Sequence, residues 1–251
     1  MTVYFVGSGP GDPDLLTLKG ERLLKEADLI VYAGSLVNPE LLGKAKQGCR
    51  VLDSSGMHLE QICTEMIGCS VKGGLVVRLQ SGDPGIFGAL REQMKFLTDA
   101  GVEYKMVPGV SSFSAAAAAV GREYTLPEIS QTIILTRLAG RTPVPAEQAL
   151  GKLAAHKASM AIFLSVGMID DVVNELKRGY ADTTPVAVVY KASWPQEKVI
   201  DGTVGDIAEK VKAAGLKLSA LILVGDFLGD PISASKLYDR SFSHGFREGE
   251  K

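Results

Sequence analysis

The sequence is poor in cysteine and histidine, with three of each in 251 residues. These six side chains are scattered along the chain: Cys49, Cys63, Cys69, His58, His156 and His244. Three cysteines without CxxC spacing exclude a disulfide framework, and the scattered histidines complete no zinc signature. We therefore expect no metal site, and a protein of a reducing compartment, the cytoplasm.

Strong net charge and long apolar runs are also lacking. The formal net charge is -2, and no stretch reaches the roughly 18 consecutive apolar residues that indicate a membrane span. The first residues, MTVYFVGSGPGD, lack the basic region and apolar stretch of a signal peptide. Nucleic-acid binding needs clustered positive charge to neutralise phosphates. Neither a membrane nor a nucleic acid is therefore expected as a partner.

The sequence does contain an alternation of short β-branched runs with helical patterns. The predicted strands of the first half are 3–6, 29–32, 50–52, 75–79 and 104–107, with helices at 15–26, 58–72, 86–100 and 112–120. This alternation is typical of a mostly parallel sheet that is covered by helices on both faces.

The second half contains a further set of strands. They are predicted at 132–136, 160–164, 185–190, 198–203 and 218–224, with helices at 146–154, 169–178 and 204–214. The fold class is therefore α/β, with two α/β domains at 1–124 and 125–230. A polar tail at 231–251 is expected to be partly disordered.

A glycine-rich turn follows the first predicted strand, with the sequence GSGPGD from Gly7 to Asp12. Glycine turns between a strand and a helix form ligand-binding edges in α/β proteins. The dinucleotide fingerprint is GxGxxG, whereas Asp12 stands at its sixth position and Pro10 removes a backbone N–H. The motif disfavours a nicotinamide or flavin site, and a purely structural turn stays an alternative.

Two further motifs follow strands. SGDPGIFG begins at Ser81, where Asp83 is suited either to bind a ribose or an amine or to cap the next helix. The third motif is VPGVSS, in which Ser111 or Ser112 is suited to cap a helix or to contact a ligand.

Taken together, VYFVGSGPGDPDLLTLKG, VVRLQSGDPGIFG and VPGVSS resemble the tetrapyrrole (corrin and porphyrin) methylases over about residues 1–230. Within that family, YAGSLVNPELL, SSGMHLEQI, ILTRLAGRTPVP and VVYKASWPQEK are most similar to the branch that methylates carbon 11 of precorrin-4 or cobalt-precorrin-4. The resemblance implies S-adenosylmethionine as cofactor, a homodimer, and an active site in a trough between two α/β domains.

The resemblance also implies which residues bind the cofactor. They are Pro10, Ser81, Gly82, Asp83, Ile86, Ser111, Ser112, Leu164, Ser165 and Ala192. Sirohaem-forming relatives carry an aspartate soon after the second strand that is proposed as a base. The corresponding run here, from Tyr32 to Val37, has no carboxylate. This difference argues against the sirohaem reaction and leaves the catalytic base unassigned.

A tetrapyrrole substrate bears many carboxylates, which arginine binds through two parallel hydrogen bonds. The basic candidates for substrate binding are Arg78, Arg137, Arg141 and Lys191, and a solvated surface charge is the alternative for Arg137 and Arg141. His58 is a further candidate for carboxylate binding or proton transfer, or is simply a residue at the start of a helix. Trp194 is suited either to stack on the macrocycle or to pack between the two halves.

Other functions stay open on the sequence alone. Within the family, another corrin carbon or an RNA is a possible target, and the near-neutral charge disfavours RNA. A tetrapyrrole-binding protein without catalysis is a second class, and a nucleotide-dependent oxidoreductase is a third.

Overall fold

The computed structural model describes residues 1–230 and 239–249. The chain divides into two compact units. The first unit comprises Met1–Ala115 and Lys191–Glu197, and the second comprises Ala116–Tyr190 and Lys198–Lys251. Each unit contains one five-stranded sheet, so the predicted pair of α/β domains is confirmed. Residues 1–124 contain the strands of one sheet and residues 125–230 those of the other. The domain boundary between residues 124 and 125 stays a prediction.

The first unit is built on a fully parallel sheet in the order β3-β2-β4-β1-β5. Its strands are β1 Val3–Gly7, β2 Leu29–Tyr32, β3 Arg50–Asp53, β4 Val76–Gln80 and β5 Tyr104–Val107. Its helices are α1 Leu18–Glu26, α2 Leu59–Ser70 and α3 Arg91–Asp99, and α4 Ser112–Val120 continues into the second unit. The predicted parallel sheet is confirmed.

Alternate side chains of these strands are buried on opposite faces of the sheet. Phe5 and Val31 pack in one apolar cluster with Met66 of α2 and Leu97 of α3. On the other face, side chains such as Val6 pack in a second cluster with residues of α1. Both faces are therefore covered, as the nearly continuous apolar strands predict.

The second unit contains a mixed sheet in the order β6-β7-β10-β8-β9, in which only β6 and β7 are parallel. Its strands are β6 Ile133–Arg137, β7 Ser159–Phe163, β8 Pro185–Tyr190, β9 Lys198–Thr203 and β10 Ala220–Val224. Its helices are α5 Leu150–Ala154, α6 Ile169–Leu176 and α7 Ile207–Ala213. All three helices contribute buried residues to one apolar cluster with the sheet.

Short 3-10 helices occupy several segments that the sequence pattern left as loops or assigned to the ends of helices: Pro13–Leu15, Gly34–Leu36, Pro39–Lys44, Ala146–Gln148, Val166–Met168 and Asp226–Leu228. The expected tail falls partly on residues 231–238, 250 and 251, which lie outside the described residues. Within 239–249, His244 and Arg247 pair through their backbones.

The predicted helix at 86–100 is wrong in its first turn. The structure begins α3 at Arg91, because Phe87 and Ala89 have φ angles of 53° and 49°. These angles are left-handed and cannot continue a right-handed helix. The segment between β4 and Arg91 is therefore a loop that contains a turn at 84–87.

Candidate functional site

Three glycine-containing bends lie side by side at the carboxyl edge of the parallel sheet. They follow the adjacent strands β4, β1 and β5, and they contain the motifs SGDPGIFG, GSGPGD and VPGVSS, respectively. Gly9 and Gly82 pair through their backbones, with N–H···O distances of 3.3 and 2.8 Å. The carboxyl edge of a parallel sheet is where α/β proteins bind ligands.

The backbones of these bends are packed so closely that side chains are excluded. A Cβ atom on Gly109 would lie 2.2 Å from the Gly82 carbonyl oxygen, and one on Gly7 would lie 2.5 Å from the same atom. Neither Gly7 nor Gly109 has a positive φ, so steric space alone requires glycine there. The result is a sheet edge made of main chain, and an edge without side chains permits close approach by another molecule.

Asp83 holds two of the bends together. One carboxylate oxygen accepts a hydrogen bond from the Gly85 N–H at 2.7 Å, and the other accepts one from the Gly109 N–H at 2.9 Å. Asp83 therefore closes a turn instead of capping a following helix, and it also binds the bend after β5. Each carboxylate oxygen can accept more than one hydrogen bond, so a ligand role stays compatible with this link.

The other cofactor candidates of the first unit lie around these bends. Ile86 closes the turn after Asp83, its N–H donating to the Asp83 carbonyl at 3.2 Å, and Ser81 is half-buried just before it. Ser111 is buried and its carbonyl accepts from the N–H groups of Ser114 and Ala115, which makes it the N-cap position of α4.

Pro10 contacts a segment that is far away in sequence. The Trp194 indole Nε1 donates to the Pro10 carbonyl at 2.8 Å, across 184 positions. The segment Lys191–Glu197, which includes the buried Ala192, is assigned to the first unit. Trp194 therefore packs on residues of the first unit, and stacking on a macrocycle stays a prediction.

Leu164 and Ser165 belong to the second unit. Leu164 is exposed at the end of β7 and has a left-handed φ of 55°. Ser165 is fully buried, and its hydroxyl donates to the Phe163 carbonyl at 2.6 Å and accepts from the Leu138 N–H at 2.9 Å. The Ser165 side chain thus links the ends of β7 and β6, and any cofactor contact by this pair stays a prediction.

Arg78 of β4 is buried, with an exposed fraction of 5%. Its guanidinium donates to the Gln93 side chain at 3.1 Å, the Ser54 hydroxyl at 3.0 Å and the Val31 carbonyl at 3.2 Å. All three partners are uncharged. Burial lowers the pKa of Arg78 to about 10, which leaves it protonated at neutral pH. A fixed positive charge without an acidic partner is thus held inside the first unit.

The other basic candidates are placed differently. Arg137 donates to the carbonyls of Leu138, Thr142 and Pro143 at 3.3, 3.1 and 2.8 Å, so it orders its own loop. Arg141 in that loop is exposed and makes no ion pair with any of the residues that the structure describes.

Lys191 and His58 lie in the first unit. Lys191 places its ammonium 5.1 Å from the centre of the Trp194 ring, a cation–π contact. His58 is the exposed N-cap of α2, with its Nδ1 atom 2.8 Å from the Glu60 carboxylate. The ordinary interpretation of His58, a residue at the start of a helix, matches this geometry.

A carboxylate that the sequence pattern did not indicate lies beside the run from Tyr32 to Val37. It belongs to Asp53 at the end of β3, whose Oδ1 atom would lie 3.2 Å from a Cβ on Gly34. The pKa of Asp53 is lowered, and the largest cause is a hydrogen bond from the Ser55 N–H. No motif marks Asp53, because the parallel pairing of β2 and β3 brings the two segments together.

Within residues 1–230 and 239–249, no group of three or more His, Cys, Asp or Glu side chains is arranged to hold a metal. No helix in that part of the chain is long and apolar enough to cross a membrane. Surface cavities of about 590 and 470 Å³ lie on α3 and beside β6, and neither is lined by a predicted site residue.

The fold and the bends define an α/β protein with an edge of main chain at the carboxyl ends of its parallel strands. A family model described as tetrapyrrole (corrin/porphyrin) methylases matches residues 2–208. The chain belongs to this family, as its three motifs indicated.

Individual relatives are similar over nearly the whole chain. A cobalt-precorrin-4 C(11)-methyltransferase of Methanocaldococcus jannaschii is 51% identical, covering 99% of this chain and 97% of the relative. The crystal structure of a cobalt precorrin-4 methyltransferase of cobalamin biosynthesis matches with a TM-score of 0.89 at 47% identity, covering 92% and 96% of the two chains. A uroporphyrin-III C-methyltransferase of Thermus thermophilus, solved with S-adenosylhomocysteine, matches with a TM-score of 0.75 at 29% identity, covering 91% and 94%.

Proposed function

We propose that this chain transfers a methyl group from S-adenosylmethionine to carbon 11 of precorrin-4 or cobalt-precorrin-4, a step of cobalamin biosynthesis. The observation that carries the proposal is the main-chain edge at Gly7, Gly82 and Gly109, in a chain similar over its full length to a C(11)-methyltransferase. The family likeness to a methyltransferase solved with S-adenosylhomocysteine supports the choice of cofactor.

The residues of the first unit fit such a nucleoside. Crowding of the three glycine backbones leaves peptide groups, rather than side chains, at the sheet edge. Asp83 keeps two of these backbones at a fixed distance through its bonds to Gly85 and Gly109. Backbone N–H and C=O groups held in this way recognise a ligand by shape and hydrogen bonding without flexible side chains.

When bound, S-adenosylmethionine supplies a methyl group that its sulfonium already activates. The chain's own task is then to hold two reactants in line, and such positioning contributes about 7 to 11 kcal/mol in favourable systems. The bends at Gly82 and Gly109 are suited to this task because their backbones pack directly on one another. We assign the cofactor contacts to Pro10, Ser81, Gly82, Asp83, Ile86, Ser111, Ser112, Leu164, Ser165 and Ala192.

Fixed positive charges recognise the carboxylates of the substrate. Arg141 is the strongest candidate, since it is exposed and makes no ion pair with the residues that the structure describes. Arg78 has neutral hydrogen-bond partners but is buried, so a carboxylate must approach it closely. Arg137, Lys191 and His58 stay candidates, and each has a local contact in the structure.

Two measurements test the proposal in sequence. Isothermal calorimetry should give a micromolar Kd for S-adenosylhomocysteine and no binding of NAD, and the reverse preference would remove the methyltransferase assignment. Incubation with S-adenosylmethionine and precorrin-4, with and without cobalt, should then yield S-adenosylhomocysteine and a tetrapyrrole heavier by CH₂, because a methyl group is gained and a proton is lost, with the new carbon located at C11 by NMR.

The products separate the alternatives. A methyl group at another ring carbon would place the chain elsewhere among corrin methyltransferases. Tetrapyrrole binding without a product would indicate a non-catalytic binding protein. The homodimer and the cytoplasmic location belong to the proposal as implications of the family, and light scattering on the purified protein tests the dimer.

A further inference from the structure

The turn after β1 is held by a segment that is about 180 positions away in the sequence. This segment, Lys191–Glu197, joins β8 to β9 and is called the clamp segment below. Besides the bond from Trp194 to the Pro10 carbonyl, the Ser193 hydroxyl accepts a hydrogen bond from the Asp12 N–H at 3.0 Å. Two groups of one segment thus hold peptide groups on both sides of Gly11.

Gly11 itself is shaped to the indole ring. A Cβ atom built on Gly11 would lie 2.0 Å from Cδ1 and 2.1 Å from Nε1 of Trp194. Gly11 does not have a positive φ, so its backbone would accept alanine in the absence of the ring. Contact with Trp194 is therefore the reason that the third glycine of the motif has no side chain.

The clamp segment is itself held in an uncommon conformation. Lys191 and Ser193 have left-handed φ angles of 47° and 69°, which are unfavourable for residues with a Cβ. The Ser193 N–H donates to the Glu197 carboxylate at 2.6 Å, and the Lys191 ammonium lies over the Trp194 ring. Strained backbone that is kept by local bonds is common at functional sites.

The geometry points to Trp194 as a positioning residue for cofactor binding: it orients the Pro10 peptide and fixes the turn from Pro10 to Asp12 at the sheet edge. This inference rests on the proposed function, because Pro10 is one of the assigned cofactor contacts. Trp194 acts through the turn and is not required to touch the reacting atoms.

A double-mutant cycle between Gly11 and Trp194 tests the inference. Gly11→Ala should raise the Kd of S-adenosylhomocysteine by roughly tenfold or more, because the new methyl group displaces the ring. Trp194→Ala should raise it by a similar factor. In the Trp194→Ala background, Gly11→Ala should add less than about twofold, since the clash no longer exists.

Trp194→Phe separates the ring from its N–H group. The phenyl ring keeps most of the packing on Gly11 but cannot donate to the Pro10 carbonyl, so a Kd increase of about 2- to 10-fold is expected. Gln196→Ala is the matched control, because Gln196 is an exposed side chain of the same segment. Its Kd should equal that of the wild type. In the Gly11 and Trp194 variants the KM for S-adenosylmethionine should rise while the KM for the tetrapyrrole stays within about twofold, and in Gln196→Ala both KM values should equal those of the wild type.

Circular dichroism and thermal melts test whether each variant keeps the fold. If Trp194→Ala does not fold, Trp194→Phe takes its place. Equal effects of Gly11→Ala with and without Trp194 would overturn the inference, as would a Trp194→Phe protein with wild-type affinity and KM values. Those results leave the proposed function intact. A wild-type protein that does not bind S-adenosylhomocysteine would instead remove the proposed function itself.

Discussion

The Asp83 carboxylate accepts a hydrogen bond from the backbone N–H of Gly109 at 2.9 Å, across 26 positions of the chain. The same carboxylate also accepts from the Gly85 N–H, so one side chain sets the spacing between the bends after β4 and β5. A residue that a motif search marks as a ligand contact is therefore also a structural link within the site.

Asp83→Asn should weaken cofactor binding while the fold is retained. An amide has one oxygen acceptor, so its NH₂ group would face a backbone N–H at Gly85 or Gly109. Losing one such bond and leaving a donor unsatisfied costs about 1 to 3 kcal/mol, which corresponds to a Kd for S-adenosylhomocysteine higher by roughly 5- to 150-fold. Calorimetry measures the Kd, and unfolding by circular dichroism would show that Asp83 is needed for the fold as a whole.

Gly109→Ala should destabilise the first unit because its Cβ would lie 2.2 Å from the Gly82 carbonyl oxygen. Backbone atoms on both sides must move, and overpacking of this kind typically costs about 1 to 3 kcal/mol. Gly56→Ala is the matched control, since a Cβ at Gly56 meets no atom within 4 Å and its φ is not positive. Thermal unfolding should separate the two variants by several degrees, and equal melting temperatures would contradict the close packing.

Arg78→Met should raise the KM for the tetrapyrrole and leave the cofactor affinity intact, while it lowers the melting temperature because the Val31, Ser54 and Gln93 acceptors lose their donor. A lost hydrogen bond to a substrate carboxylate costs about 1.5 to 3 kcal/mol, or roughly 10- to 150-fold in KM. Steady-state kinetics with each substrate varied in turn checks this expectation. A protein with unchanged kinetics and a lower melting temperature would assign Arg78 to stability alone.

Arg141→Ala should raise the KM for the tetrapyrrole without changing the Kd of S-adenosylhomocysteine. The side chain is exposed, so its removal does not disturb the packing. Arg137→Ala is the comparison, because it removes hydrogen bonds to three loop carbonyls and should loosen the loop around Arg141. Equal effects of Arg141→Ala on both ligands would show that the substrate site has been misplaced.

Much of the fold was predictable because local patterns determine it. The strands β2, β5, β8 and β9 begin and end where the sequence indicates, and the βαβ alternation of the first half predicts the parallel sheet that is observed. The late start of α3 was not predictable, since nothing in the residue types of Phe87 and Ala89 indicates a left-handed φ.

The site was predictable as a set of motifs but not as a set of contacts. Glycine and proline mark the bends at Pro10 and Gly82 because those residue types have special backbone preferences. The link from Asp83 to Gly109 and the contact of Trp194 with Gly11 depend on how distant segments pack, and a single sequence contains no local signal for either. Asp53 was missed for the same reason.

Because the clamp segment is assigned to the first unit, that unit is discontinuous in the gene. No single cut releases it whole: a fragment of residues 1–115 would contain all three bends but would lack the indole that holds Pro10. Recombination that exchanged only the amino-terminal half of such a protein would separate the turn from its support.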